Sequence, residues 1–109
     1  MNYEDMSDFK INSRVGMHLG HSVSAEHECI ETGSCFLLTD TVSDRIEFNP
    51  CNNPSDAWPI IEKNRITISP YDDANQGWSA TEDTSFFIDG DNPLRAAMIC
   101  FLRMKDQSN

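Results

Sequence analysis

NPLRAAMICFLRMK, residues 92–105, narrows most what this chain can fold into. Asn92 before Pro93 reads as a helix cap followed by a first-turn proline, whose missing N–H has no partner to lose. Leu94, Ala97, Met98, Phe101 and Leu102 then recur at intervals of three and four, and Arg103 and Lys105 fall near the negative end of the helix dipole. The spacing predicts an amphipathic helix from Pro93 to about Lys105. Ala96 and Ala97 permit close approach to a sheet, and burial of Phe101 alone contributes roughly 1.5–3 kcal/mol. Such a helix anchors a core, and with 109 residues the chain has enough material for one core and too little for two.

The N-terminal segment spells out a second helix. Ser7 can cap the first turn, Asp8 suits the positive end of the dipole, and Met6 lies five residues before Ile11, the spacing of a hydrophobic staple. Ile11, Val15 and His18 or Leu19 share a face, and Gly20 can take the left-handed conformation that ends the helix, so the helix is expected over Asp8 to Leu19. The following stretch, residues 21–34, is polar and acidic with Gly33 near its end, which suits a mobile loop or edge strand.

Strand signals fill the middle. FLLTDTV (36–42) and RIEF (45–48) suit a β-hairpin across Ser43 and Asp44. RITIS (65–69) alternates Ile66 and Ile68 with polar neighbours until Pro70 stops it. GWSAT around Trp78 and TSFFID (84–89) are further short strands. Between the hairpin and Ile66 lies CNNPSDAWPIIEKN. A continuous helix from Pro54 would place Pro59 in its second turn, at a cost of about 3 kcal/mol. The expectation is therefore a turn at Asn53 and Pro54, a fresh helix capped by Asp56 with Pro59 in its first turn, and an end at Asn64. The fold class that follows is a single α+β domain. Its simplest form is an antiparallel sheet of three to five strands carrying an N-terminal helix, a short central helix and the C-terminal amphipathic helix.

NNPSDAWPIIEKNRITISP, Trp78 and NPLRAAMICFL, with SDFKIN and the Leu-Gly ending of the first helix, resemble the NinX-type small proteins of lambdoid phages and prophages. The resemblance takes in most of the chain, least so residues 21–34. Lys10 departs from it, standing where a Glu would complete a capping box with Ser7. The resemblance implies a non-structural phage protein acting in the cytoplasm of the infected bacterium. It brings no agreed catalytic residues with it.

Charge and cysteines set further limits. Eight Lys and Arg against 18 Asp and Glu give a net charge of −10, spread along the chain, which opposes broad nucleic-acid binding; it reads first as a solvated, soluble surface, with attraction of a basic partner as the alternative. No apolar run approaches the ~20 residues that span a bilayer, and the acidic start MNYEDMSDF lacks the regions of a signal peptide. An intracellular location follows as an expectation, and with it four reduced thiols at Cys29, Cys35, Cys51 and Cys100.

Catalytic signatures are weak. His18, His21, His27, Cys29 and Cys35 contain zinc-ligating atoms, but no CxxC or HxxxH pair organises them. DGDN around Asp89 and Asp91 opens like a calcium loop yet runs straight into helix. No GxSxG elbow or glycine-rich phosphate loop is present. No metal and no cofactor are expected. Trp58 and Trp78 read first as core residues. Their alternative is a surface on which Trp58 or Trp78, with Tyr71 and with Arg65 or Arg95, holds the base and phosphate of a small nucleotide. Asp72 and Asp73, or Glu26, Glu28 and Glu31, are the acidic clusters that a basic host protein would meet. The leading expectation is an accessory protein that binds and inhibits or redirects a host protein, such as a defence component. A nucleotide-sequestering protein comes second, and a metal-dependent nucleic-acid enzyme third.

Overall fold

The computed structural model describes residues 3–24, 32–38, 45–70, 78–82, 86–90 and 92–107. After a 3-10 turn at Tyr3–Asp5, helix α1 spans Asp8–His18, with the Ser7 hydroxyl accepting the Lys10 N–H at 3.3 Å. Only that half of a capping box can form, because Lys10 offers no carboxylate to return the bond. Gly20 takes a positive φ of 91° just past the helix, as its lack of a Cβ allows.

Strands β1 (Ser22–Val23), β2 (Cys35–Leu38) and β3 (Arg45–Phe48) form one antiparallel sheet in that order. The hairpin of β2 and β3 sets Cys35 opposite Phe48 and Leu37 opposite Ile46. Strands β4 (Thr67–Pro70), β5 (Trp78–Glu82) and β6 (Phe86–Gly90) form a second, with Ala80 opposite both Ile68 and Ile88. The α+β class and antiparallel pairing hold, while the six described strands divide between two sheets rather than joining one. Helix α2, Pro54–Asn64, carries the chain from the first sheet to the second. Pro70 closes the edge strand β4, where a missing N–H costs the ladder least.

Helix α2 corrects the reading of Trp58-Pro59. It is continuous from Pro54, capped by the Asn53 side chain accepting the Ser55 N–H at 3.0 Å, and Pro59 lies inside it. The bond that Pro59 cannot make belongs to the Ser55 carbonyl, and Ser55, Trp58 and Pro59 are all exposed, so water can reach that carbonyl. Burial of Ala57, Ile60 and Ile61 on the other side holds the helix together. Asp56 does not cap; its Oδ2 accepts the Asn49 N–H at 2.9 Å. The helix ends at Arg65, left-handed at φ 54° and ψ 45°, and Ile66 N–H closes on the Ile61 carbonyl at 3.0 Å.

Helix α3, Pro93–Gln107, is the centre of the molecule. It packs against α1, α2 and all three strands of the second sheet, while α1 packs against the first. The sequence pattern suggested one apolar stripe, yet every residue from Ala96 to Leu102 is buried. The helix is therefore enclosed through its middle and amphipathic only at its ends. On the other side of α1, Gly16 allows close approach to the first sheet: a Cβ there would stand 3.0 Å from Leu37 Cδ2 and 3.2 Å from Val23 Cγ2.

Candidate functional site

Asn92, ahead of Pro93, meets in space the turn that contains Asn49-Pro50 and leads into Asn53-Pro54. Asn92 Oδ1 accepts the Leu94 and Arg95 N–H groups at the start of α3, while its Nδ2 donates to the Cys51 carbonyl at 2.8 Å and to Asn52 Oδ1 at 3.0 Å. Asn52 in turn donates to Asp8 Oδ2 at 3.0 Å. Beneath them Asn12, fully buried, donates to the Gly33 carbonyl and to Asn49 Oδ1 and accepts the Cys51 N–H. Asn49 Nδ2 reaches the Thr32 carbonyl at 2.9 Å. The starts of all three helices are thus joined through the 49–53 turn by amides whose donors and acceptors satisfy one another. Gly33, at φ 77°, leaves the room this needs, since a Cβ there would lie 2.8 Å from Asp8 Cβ.

Arg95 belongs to the same assembly. Its Nη1 meets Asp8 Oδ1 at 2.5 Å, and its Nη2 donates to the carbonyls of Met6 at 2.6 Å and Glu4 at 3.3 Å. The guanidinium is committed to the fold. Trp58, by contrast, is 59% exposed, so the expectation that both tryptophans are core fails for it. It lies on the face of α2 turned from the Ile60 side, where exposed Glu62 and Arg65 follow at four and seven residues. Trp78 is partly buried on β5, opposite Pro70 and Gly90. Tyr71, Asp72 and Asp73 lie outside the described residues, as do Glu26, Glu28 and Glu31. The structure brings none of the described aromatic candidates together with Arg95.

Of the zinc-like set, His18, His21 and Cys35 lie among the described residues. The His18 ring stands edge-on to Phe101 at 6.3 Å between centroids, Cys35 donates its thiol to the Phe48 carbonyl at 3.5 Å, and His27 and Cys29 lie outside the described residues. Among the described residues no three His, Cys, Asp or Glu side chains are grouped to hold a metal ion. Cys35, Cys51 and Cys100 are fully buried, and burial pushes the Cys35 and Cys51 thiols above their ordinary pKa, so neither is an activated nucleophile.

An open groove of about 390 Å³ runs along α1, lined by Met6, Phe9, Lys10, Ser13, Arg14 and Met17 with Val23 of β1. Its size falls within the usual range of ligand and peptide sites, roughly 300–1,000 Å³. These positions form the second face of α1, beside the Ile11 and Val15 face that enters the core. Met17 is 55% exposed. The signal was present in the sequence as Phe9, Ser13 and Met17 at intervals of four, but the stronger Ile11 and Val15 pattern drew the whole helix inward. No helix among the described residues is long and apolar enough to cross a membrane.

Comparison with curated proteins gave no match. The family model described as Bacteriophage P22, NinX matches residues 2–105.

Proposed function

The chain belongs to the Bacteriophage P22 NinX family, and from that premise we propose that it is a phage accessory protein that binds a host protein and inhibits or redirects it, a defence component being the kind of target such a protein would meet. The groove on α1 carries the proposal. It is concave and largely apolar, it rests on a helix fixed to the core by Ile11 and Val15, and its lining among the described residues includes no carboxylate, histidine or thiol that could do acid-base or nucleophilic work. Such a surface supports recognition rather than catalysis. Trp58 adds a second exposed anchor on α2, of the residue type enriched where proteins bind one another.

A photocrosslinking amino acid in place of Met17, with another in place of Glu62 as control, tests this in the bacterial cytoplasm. A discrete host protein joined at position 17, and lost when Phe9→Glu is added, is the expected result. Crosslinks no stronger at 17 than at 62 would sink the docking reading.

The nucleotide-sequestering alternative keeps one specific support, the exposed indole of Trp58 on the same stripe as exposed Arg65. Glu62 between them opposes a phosphate, and Arg95 is held by Asp8. A nucleotide that co-purifies with the folded protein and is lost in Trp58→Ala would favour this alternative over the first.

A further inference from the structure

We infer that the α1 groove takes an acidic segment of the partner protein bearing apolar anchors, opposite in charge to the basic partner that the net −10 would attract. This rests on the docking reading proposed above. The groove is lined by the apolar Met6, Phe9, Met17 and Val23 and by two cations, Lys10 and Arg14, one helical turn apart. Neither cation ends in an ion pair among the described residues. The other cations near it are committed: Arg95 to Asp8, Arg103 to Glu4, and Lys105 above the Phe101 ring at 5.4 Å.

Lys10 is also placed against the interest of its own helix. It stands three residues after the cap, where a Glu would return a hydrogen bond to the cap and where the positive end of the dipole opposes a cation. A residue that weakens its element without local compensation points to a role outside the fold. With Arg14 it makes a local positive pair on an acidic molecule, which selects a carboxylate-bearing segment at contact range. Met6 and Met17 supply adaptable apolar contact. From Met6 to Met17 the groove spans on the order of 16 Å, room for about three turns of a helix laid along it.

The test uses the full chain and two synthetic helices of about four turns. Both carry the same leucine stripe, flanked by Glu in one and by Lys in the other, with binding read by fluorescence anisotropy. The Glu helix should bind about tenfold more tightly than the Lys helix, in spite of the long-range repulsion from the whole molecule. Lys10→Glu with Arg14→Glu should reverse that order, and Phe9→Glu should abolish binding of the Glu helix. The preference of the parent chain needs no variant to fold, and circular dichroism verifies the variants.

Equal binding, tighter binding of the Lys helix, no binding of either, or an order unchanged by the double reversal would overturn the inference. So would a parent chain that sediments as a dimer and becomes monomeric on double reversal, since the occupant would then be a second copy. A host crosslink at position 17 alongside preference for the Lys helix would defeat the charge assignment alone. A parent chain that gives no host crosslink at position 17 would defeat the docking reading as well.

Discussion

Arg95 and Asp8, 87 residues apart in sequence, meet at 2.5 Å and tie the first turn of α3 to the first turn of α1. The arginine also satisfies the Met6 carbonyl, so removing it takes the partner from that backbone acceptor and leaves the Asp8 carboxylate with the Asn52 amide but no cation. Arg95→Met should cost about 1–3 kcal/mol, and the double variant with Asp8→Asn should lose less than the sum of the two singles. Urea denaturation of the three variants measures both quantities. Additive losses would mean that the pair is incidental.

Phe101 is 1% exposed at the centre of α3, with the Lys105 ammonium over its ring and His18 at its edge. Phe101→Ala should destabilise the protein by about 3–5 kcal/mol, a large share of what a domain of this size possesses. A melting temperature lowered by only a degree or two would contradict the enclosed position of α3.

Tyr3 is 1% exposed and donates its hydroxyl to Asp106 Oδ2 at 2.5 Å. Burial, and then the Asp106 carboxylate, push its pKa up from 10.0 to about 12. The unfolded chain gives up this proton near pH 10 and the folded one holds it to about 12, so the contribution is whole below pH 10 and is lost as pH rises through 12. The fall should reach at most about 2–3 kcal/mol, and Tyr3→Phe should remove it. Urea midpoints from pH 9 to 12 decide the matter: parallel curves for parent and variant would show that Tyr3 is not the group responsible.

Pro59 sits in the interior of α2, with its lost bond facing solvent. Pro59→Ala restores that bond to Ser55 and should stabilise the protein by about 1–3 kcal/mol, after allowing for the freedom the unfolded chain regains. In a first-turn position the same change would be close to neutral or slightly unfavourable. Chemical denaturation therefore distinguishes one continuous helix from a helix starting at Asp56.

Cys35, Cys51 and Cys100 are buried, and the raised Cys35 and Cys51 pKa values keep these two thiols protonated. No more than one thiol should react promptly with a water-soluble disulfide reagent in the native protein, and four should react after denaturation without reductant. Fewer than four under denaturing conditions would reveal a disulfide.

The elements were legible in the sequence because each carries its own local punctuation. Ser7 and Gly20 bound α1, Asn92 and Pro93 open α3, and the alternation around Ile68 and Ala80 marks the second sheet. The continuity of the central helix is not legible from Pro59 alone, because the cost of its missing bond depends on whether the Ser55 carbonyl is open to water. The single expected sheet became two for a related reason: period-two patterns identify strands but carry no information on which strands share a ladder. The candidate site was harder still. Trp58 is exposed although large aromatics are usually buried, Arg95 was read as available although Asp8 holds it, and the groove depends on α1 having two apolar faces whose outer one no other described element covers.

The amides of Asn12, Asn49, Asn52 and Asn92 draw on three separate stretches of the chain, so no short contiguous fragment contains their network. Loop closure over tens of residues must precede the last of these bonds, which raises the contact order and slows folding relative to a simple bundle of three helices. Severing the backbone before Asn92 would leave α3 its cap but part that cap from the 49–53 turn, and Arg95 from Asp8, at once. The two pieces should be unstructured alone and regain shape only on mixing, so that assembly from fragments would be bimolecular and all-or-none.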